Sequence, residues 1–463
     1  MARIGAALAA VRAVPVIMRV AALALVVAIP ACRDTIVVGE LQEVVQLKAI
    51  PNRDLDLLFV VDNSGSMADQ QAALAASFPR MIDVLGELDE LPNLHIGVVT
   101  SDLGTSGLDG SPPAPAVGQP GAGVCSATGD DGVLQHANAP ELAGSFIVDA
   151  DDGAGGRMRN YTGELRDVFA HIATVGETGC GFEQHLAAMQ RALANPANAG
   201  FVRPDANLAV IVIADEDDCS VLTPSFFTPD TSTLGPLQSF RCTTQGVHCD
   251  QPIDAVGDKT GCTPRADSAF VADVAPFADA LVAVKGDPRR LLVAGIVGDP
   301  DPVAVAPRTI NGELQTALVP SCTFTGASGP ETADPAVRLS AFVDAFPGRS
   351  TLTSICSPDL SAPLATIGAS AKQLLGDPCL DTTRLVDRSP DPGVQPACEV
   401  VDIRDSAPDD PVALPSCADT ASDCYEMVDD PIACPATPDH LRIRFHRTTA
   451  SEDTWTSVRC QLR

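Results

Sequence analysis

Five large apolar residues, Leu57-Leu58-Phe59-Val60-Val61, run straight into Asp62-Asn63-Ser64-Gly65-Ser66. An apolar run with no polar alternation predicts a strand buried on both faces, as in the parallel sheets of α/β proteins. The polar cluster then falls where the strand gives way to a helix, and in open α/β sheets that edge is where ligands bind. One Asp, two Ser hydroxyls at the second and fourth positions after it, and a Gly to turn the backbone make an oxygen-only donor set. Such a set suits a hard divalent cation. The bland alternative is an ordinary strand-to-helix turn with an Asx or Ser cap, because Asp-x-Ser-x-Ser alone is a short pattern.

The rest of the chain supplies context. Leu74, Phe78, Met81, Ile82 and Leu85 share one helical face. Leu94-His95-Ile96-Gly97-Val98-Val99 predicts a second strand. Leu208 to Ala214 predicts a third, ending at Asp215, and Leu291 to Val297 a fourth. A helix is expected over 182–194 with Leu186, Met189 and Leu193 on one face. Another carries Phe270, Val274, Phe277 and Leu281, with Pro276 expected to kink it. Leu339, Phe342, Val343 and Phe346 mark a further helix, and Leu360, Leu364, Ile367 and Leu374 the last. Strands separated by helices predict an α/β fold with a doubly wound, mostly parallel sheet.

Several segments fall outside this pattern. Gly104 to Gly123 reads as surface loop, and Asp149 to Gly153 as a solvated acidic turn without calcium-loop spacing. Cys219 to Cys262 is a Cys-rich insertion. Residues 381–463, rich in Pro, Asp and Cys, read as a small disulfide-stapled β module with strands near Val400-Val401-Asp402-Ile403 and Leu441 to Phe445. The expected division is a signal segment over 1–32, a tether over 33–53, the α/β domain over 54–380 and the β module over 381–463. Val44 to Leu47 could pair with a sheet edge.

Arg3, Arg12 and Arg19 precede the apolar stretch Val20 to Ile29, which ends in Pro30-Ala31-Cys32. This is the layout of a processed export signal. It resembles a bacterial lipoprotein leader with Cys32 as the lipidation site; the alternative is a plain cleaved signal with Cys32 in a disulfide. Met18 is an alternative start, since Met18-Arg19 leads directly into the apolar core. Of the 15 cysteines, setting Cys32 aside leaves an even set: Cys125, Cys180, Cys219, Cys242, Cys249, Cys262, Cys322, Cys356, Cys379, Cys398, Cys417, Cys424, Cys434 and Cys460. Up to seven disulfides in an oxidising compartment are expected from that count of fourteen. Cys249–Cys262 and Cys434–Cys460 are the pairings suggested by local loop closure. A net charge of -30 argues against nucleic acid. One Trp and two Tyr provide few stacking platforms for bases or sugars.

Residues Leu57 to Met67, Val175 to Leu193 and Asn207 to Ser220 together resemble the von Willebrand factor type A domain, as in integrin I domains. The resemblance implies a metal-ion-dependent adhesion site for Mg²⁺, Mn²⁺ or Ca²⁺. Ser64 and Ser66 match its direct hydroxyl ligands, Asp62 its first-loop Asp and Asp215 its third-loop Asp. The second loop normally brings a Thr. Counting back from Leu186, that position holds Cys180, a poor ligand for a hard cation and a candidate for a disulfide. Thr178 is the substitute, or the site is incomplete. Neutral Ser ligands leave charge on the ion, so the resemblance implies binding of a protein partner through a carboxylate, with no small-molecule substrate. The acidic run Asp215-Glu216-Asp217-Asp218 is either a solvated loop or an aid to cation capture. An outer-membrane lipoprotein or cell-surface location is expected. The alternatives are an envelope scaffold with a degenerate site and a metal-dependent hydrolase with Asp62 as nucleophile. The second would want a nearby Lys and an Asp at position 64, and no other catalytic motif is present, so a non-enzyme is expected.

Overall fold

The computed structural model describes residues 42–48, 52–88, 91–118, 123–310, 313–375, 379–380, 382–388, 395–419, 422–431, 434, 437, 439–447 and 453–463. Cys32, the leader and Met18 lie outside them. In chain order the strands that matter to the site are Gln42–Lys48 (β1), Asp54–Val61 (β2), Asn93–Thr100 (β3), Ile147–Asp151 (β4), Arg157–Arg159 (β5), Asn207–Ala214 (β6), Leu291–Val297 (β7) and Ser350–Ser354 (β8). The last seven form one sheet in the order β8-β7-β6-β2-β3-β4-β5. The strands from β8 to β3 are parallel; β4 and β5 continue the sheet antiparallel.

The missing alternation in β2 now has its reason. Leu55, Leu57, Phe59 and Val61 face one core, and Leu58 and Val60 face another. Both faces are covered, so both need apolar side chains. Helices Ala68–Leu85 (α1) and Leu165–Ala173 (α2) cover the first face, followed on the other by His185–Ala194 (α3), Ala275–Lys285 (α4) and Val337–Asp344 (α5). Ser361–Leu374 (α6) returns to the first face. Phe78 of α1 stacks on Phe169 of α2 at 3.6 Å, and both meet the edge of Phe59.

Three local expectations are corrected. Pro276 sits in the first turn of α4. A missing N–H is no loss there, so it starts the helix instead of kinking it. The helix expected from Phe182 starts only at His185; Phe182 packs edge-on against Phe226 and Phe227 instead. The loop after β3 is not all surface: Thr105 and Ser106 are buried, and Thr105 Oγ1 donates to Ala114 O at 2.6 Å.

The fourteen cysteines form seven disulfides: 125–180, 219–242, 249–262, 322–356, 379–434, 398–460 and 417–424. The Cys249–Cys262 expectation holds and Cys434–Cys460 does not. Strand register decides the second case, because Thr454–Gln461 lies antiparallel to Cys398–Arg404 with Cys460 directly opposite Cys398. The same strand pairs on its other side with β1. Part of the expected tether is therefore an edge strand of the C-terminal sheet, as Val44 to Leu47 allowed. That region has its own core around Leu385, Val400, Ile443 and Val458. Arg289 lies over the Trp455 ring at 3.8 Å and joins Asp405 at 2.6 Å, linking this sheet to the start of β7.

Candidate metal centre

Asp62 and Asp215 are the first residues past two adjacent parallel strands, β2 and β6. The chain leaves β2 for β3 on one side and returns as β6 on the other. The strand order therefore reverses at this point, which is where open α/β sheets leave a crevice for ligands. Asp62 N donates to Ile213 O at 3.0 Å and ties the two strand ends together.

Asp62 Oδ1 accepts from Ser64 N at 2.7 Å. This Asx turn brings Ser64 Oγ and Ser66 Oγ to 3.3 Å, and the Ser66 hydroxyl lies near enough to the Asp215 carboxyl to pull its pKa down. Gln71, in the first turns of α1, braces the loop from behind. Its Nε2 donates to Asp62 O at 3.0 Å and to Gly176 O at 2.8 Å. Four of the five candidate metal residues are thus brought together.

The fifth, Thr178, is exposed. Its loop is docked one residue later, where Gly179 N donates to Asn63 O at 2.9 Å. A Cβ on residue 179 would overlap the Asn63 side chain, so the close approach requires Gly. Cys180 is bonded to Cys125, which removes it as a ligand.

The acidic run is not a solvated loop. Asp217 accepts from Arg338 N at 2.8 Å and Leu339 N at 3.0 Å, capping α5. Asp218 accepts from Arg338 Nη2 and from Leu186 N, both at 2.9 Å. Both carboxylates hold other elements in place. All four acids border a cavity of about 260 Å³, whose lining also includes Ser66, Glu183, Arg308 and Asp334.

Sequence reasoning missed Glu183, His185 and Asp334. Glu183 and His185 are fully buried, and His185 Nε2 stands 3.5 Å from Asp62 Oδ2. The only trace of them is three consecutive polar residues, Glu183-Gln184-His185, ahead of an apolar helical face. Burial, then repulsion from Asp62, pushes the Asp215 carboxyl up to about 8. Burial raises Asp334 to about 6. Burial and neighbouring acids hold Glu183 and Glu216 well above the carboxylate range. Asp62 Oδ2, Glu183 Oε1 and Asp215 Oδ1 are buried without a hydrogen-bond partner. Unpaired buried oxygens of this kind are costly, and with two hydroxyls beside them they fit a hard cation. Among the described residues no three His, Cys, Asp or Glu side chains gather as a metal cluster on their own, so the serine hydroxyls are needed in any such site.

No family model and no curated protein matches the chain. Among solved structures it is similar to a von Willebrand factor type A protein from Catenulispora acidiphila, at 12% identity over 92% of this chain and 61% of that one, with a TM-score of 0.29. It is also similar to the pilus adhesin SpaC from Lactobacillus rhamnosus GG, at 9% identity over 91% and 41%, with a TM-score of 0.32. BatB, a conserved hypothetical protein from Bacteroides thetaiotaomicron, is 9% identical over 69% and 98%, with a TM-score of 0.26. The chain thus spans 61% and 41% of the first two proteins.

Proposed function

We propose that this is an exported protein that holds a divalent cation (Mg²⁺, Mn²⁺ or Ca²⁺) at Asp62, Ser64, Ser66 and Asp215, with Thr178 on the adjoining loop. Through that ion it binds a carboxylate-bearing protein partner at the cell envelope or surface. The observation that carries this reading is the meeting of two strand-terminal aspartates, each with a buried unpartnered oxygen, and two seryl hydroxyls. A bound ion would supply a positive centre for a partner's carboxylate. The chain's own residues do the rest: Asp62 turns the first loop, Gln71 clamps it to the second, and Ser66 and Asp215 border one cavity. The chain's net charge of -30 attracts cations at long range. Asp62 is fully buried, which disfavours a hydrolase that attacks with it.

Asp62→Ala is expected to weaken Mg²⁺, Mn²⁺ and Ca²⁺ binding at least tenfold by calorimetric titration, about 1.4 kcal/mol, while the fold is kept. Equal binding by wild type and variant would refute the site. No binding by the wild type would instead favour an envelope scaffold with a degenerate site. The Cys125–Cys180 disulfide, occupying the position of the missing Thr, speaks for that second reading.

Seven formed disulfides agree with an oxidising compartment. Cys32 is proposed as the lipid anchor, in the outer membrane or at the cell surface. Cys32→Ser should move the protein from the membrane to the soluble fraction; retention in the membrane would overturn the anchor.

A further inference from the structure

We propose that Glu183, not Thr178, is the second-loop ligand of the cation, an inference that rests on the reading of a cation at Asp62, Ser64, Ser66 and Asp215. Glu183 is 1% exposed, and its Oε1 has no hydrogen-bond partner. Its carboxyl packs against that of Glu216, and a buried polar oxygen left without a donor is costly unless another group meets it. The two arginines of the same cavity are engaged elsewhere: Arg338 with Asp218 at 2.9 Å, and Arg308 Nη1 with Leu318 O at 2.6 Å.

Position points the same way. Glu183 lines the cavity together with Ser66 and Asp215, and exposed Thr178 does not. It lies within electrostatic reach of both Asp62 and Glu216. Its backbone is fixed on each side. Glu183 O accepts from Cys219 N at 2.7 Å, and Gln184 N donates to Ser101 O at 2.9 Å. Gln184 Oε1 accepts from Val221 N at 2.9 Å. Cys180, three residues earlier, is held by its disulfide. A ligand needs this kind of support, since a loose carboxylate gives up affinity to side-chain entropy. The disulfide takes the position where the type A pattern has a hydroxyl, and the next acidic side chain along the chain faces the cavity instead. A carboxylate there adds a full negative charge to the shell. The ion is then held more tightly and pulls less strongly on a partner's carboxylate.

The test is calorimetric titration of Ca²⁺ and Mn²⁺ into the exported chain, with melting curves recorded with and without each ion. Wild type is compared with Glu183→Gln, Thr178→Ala and Asp62→Ala. The expected result is at least a tenfold loss of affinity in Glu183→Gln and less than a threefold change in Thr178→Ala. Ion-free Glu183→Gln should melt close to the wild type, because a near-isosteric neutral side chain replaces a buried one that is itself held neutral without the ion. Its ion-induced rise in melting temperature should shrink. Affinity retained in Glu183→Gln but lost in Asp62→Ala overturns the role of Glu183 and leaves the underlying site standing. Affinity lost in Thr178→Ala alone overturns it too. A Glu183→Gln variant that melts well below the wild type assigns the residue to the fold and not to the ion. No binding to the wild type removes both readings.

Discussion

Asp56→Ala should remove about 3–5 kcal/mol of folding stability, seen as a lower denaturation midpoint, while leaving the candidate site's composition untouched. Asp56 is fully buried in β2, at the opposite end from Asp62. Its Oδ1 accepts from Arg203 Nε at 2.8 Å, and its Oδ2 accepts from Arg203 N at 2.8 Å and Lys285 Nζ at 3.1 Å. Lys285 Nζ also donates to Arg203 O at 2.7 Å. Burial pushes the Lys285 ammonium below its usual range, and Asp56 pulls it back up. Removing the carboxylate would leave the ammonium inside the fold with one carbonyl partner. Losing one member of a buried pair costs more than losing both. The double variant Asp56→Leu with Lys285→Met should therefore recover much of the loss. A single variant within 1 kcal/mol of the wild type would show that water reaches Lys285.

Arg338→Met should cost a similar amount, about 3–5 kcal/mol, and should also weaken cation binding. Arg338 is 1% exposed. It donates to the Asp218 carboxylate, to Ala272 O at 2.7 Å and to Gly246 O at 3.2 Å. Its backbone N is also one of the donors that Asp217 caps. The guanidinium thus joins α5, the Cys-rich insertion and the loop that begins at Asp215. Without it Asp218 is an uncompensated buried charge, and the loop presenting Asp215 loses a support. Denaturation and ion titration on the same sample separate the two effects. A variant that loses stability but keeps the wild-type affinity would show that β6 alone positions Asp215. Asp56→Ala, at the other end of β2, should show low stability with unchanged affinity.

Much of the fold was legible because its signals are short in range. An apolar run without alternation must be buried on both faces, so β2, β3, β6 and β7 could be read directly, and so could the apolar faces of α1, α3, α4, α5 and α6, though not that of α2. Asp62, Ser64, Ser66 and Asp215 were legible for a related reason. A residue that ends a buried parallel strand has one place to go, the edge where the helices begin. The acidic run stayed open between two readings because Asp217 and Asp218 look the same in sequence whether they meet water or cap α5 and bind Arg338. Their partner lies more than a hundred residues away. Cys434 and Cys460 were paired by proximity along the chain, whereas strand register placed Cys398 opposite Cys460.

By itself, then, the sequence determined the strands, the switch-point aspartates, the paired hydroxyls and the even set of cysteines. Each of these follows from local pattern and from the chemistry of single residues. Only the tertiary structure decided which cysteines meet and which acids are consumed by the fold. It also decided that β1 joins a C-terminal strand, and that Glu183 rather than Thr178 lines the cavity. Those outcomes depend on distances between segments remote in the chain, set by the packing of two helical layers on one sheet. The local residue pattern carries no record of them.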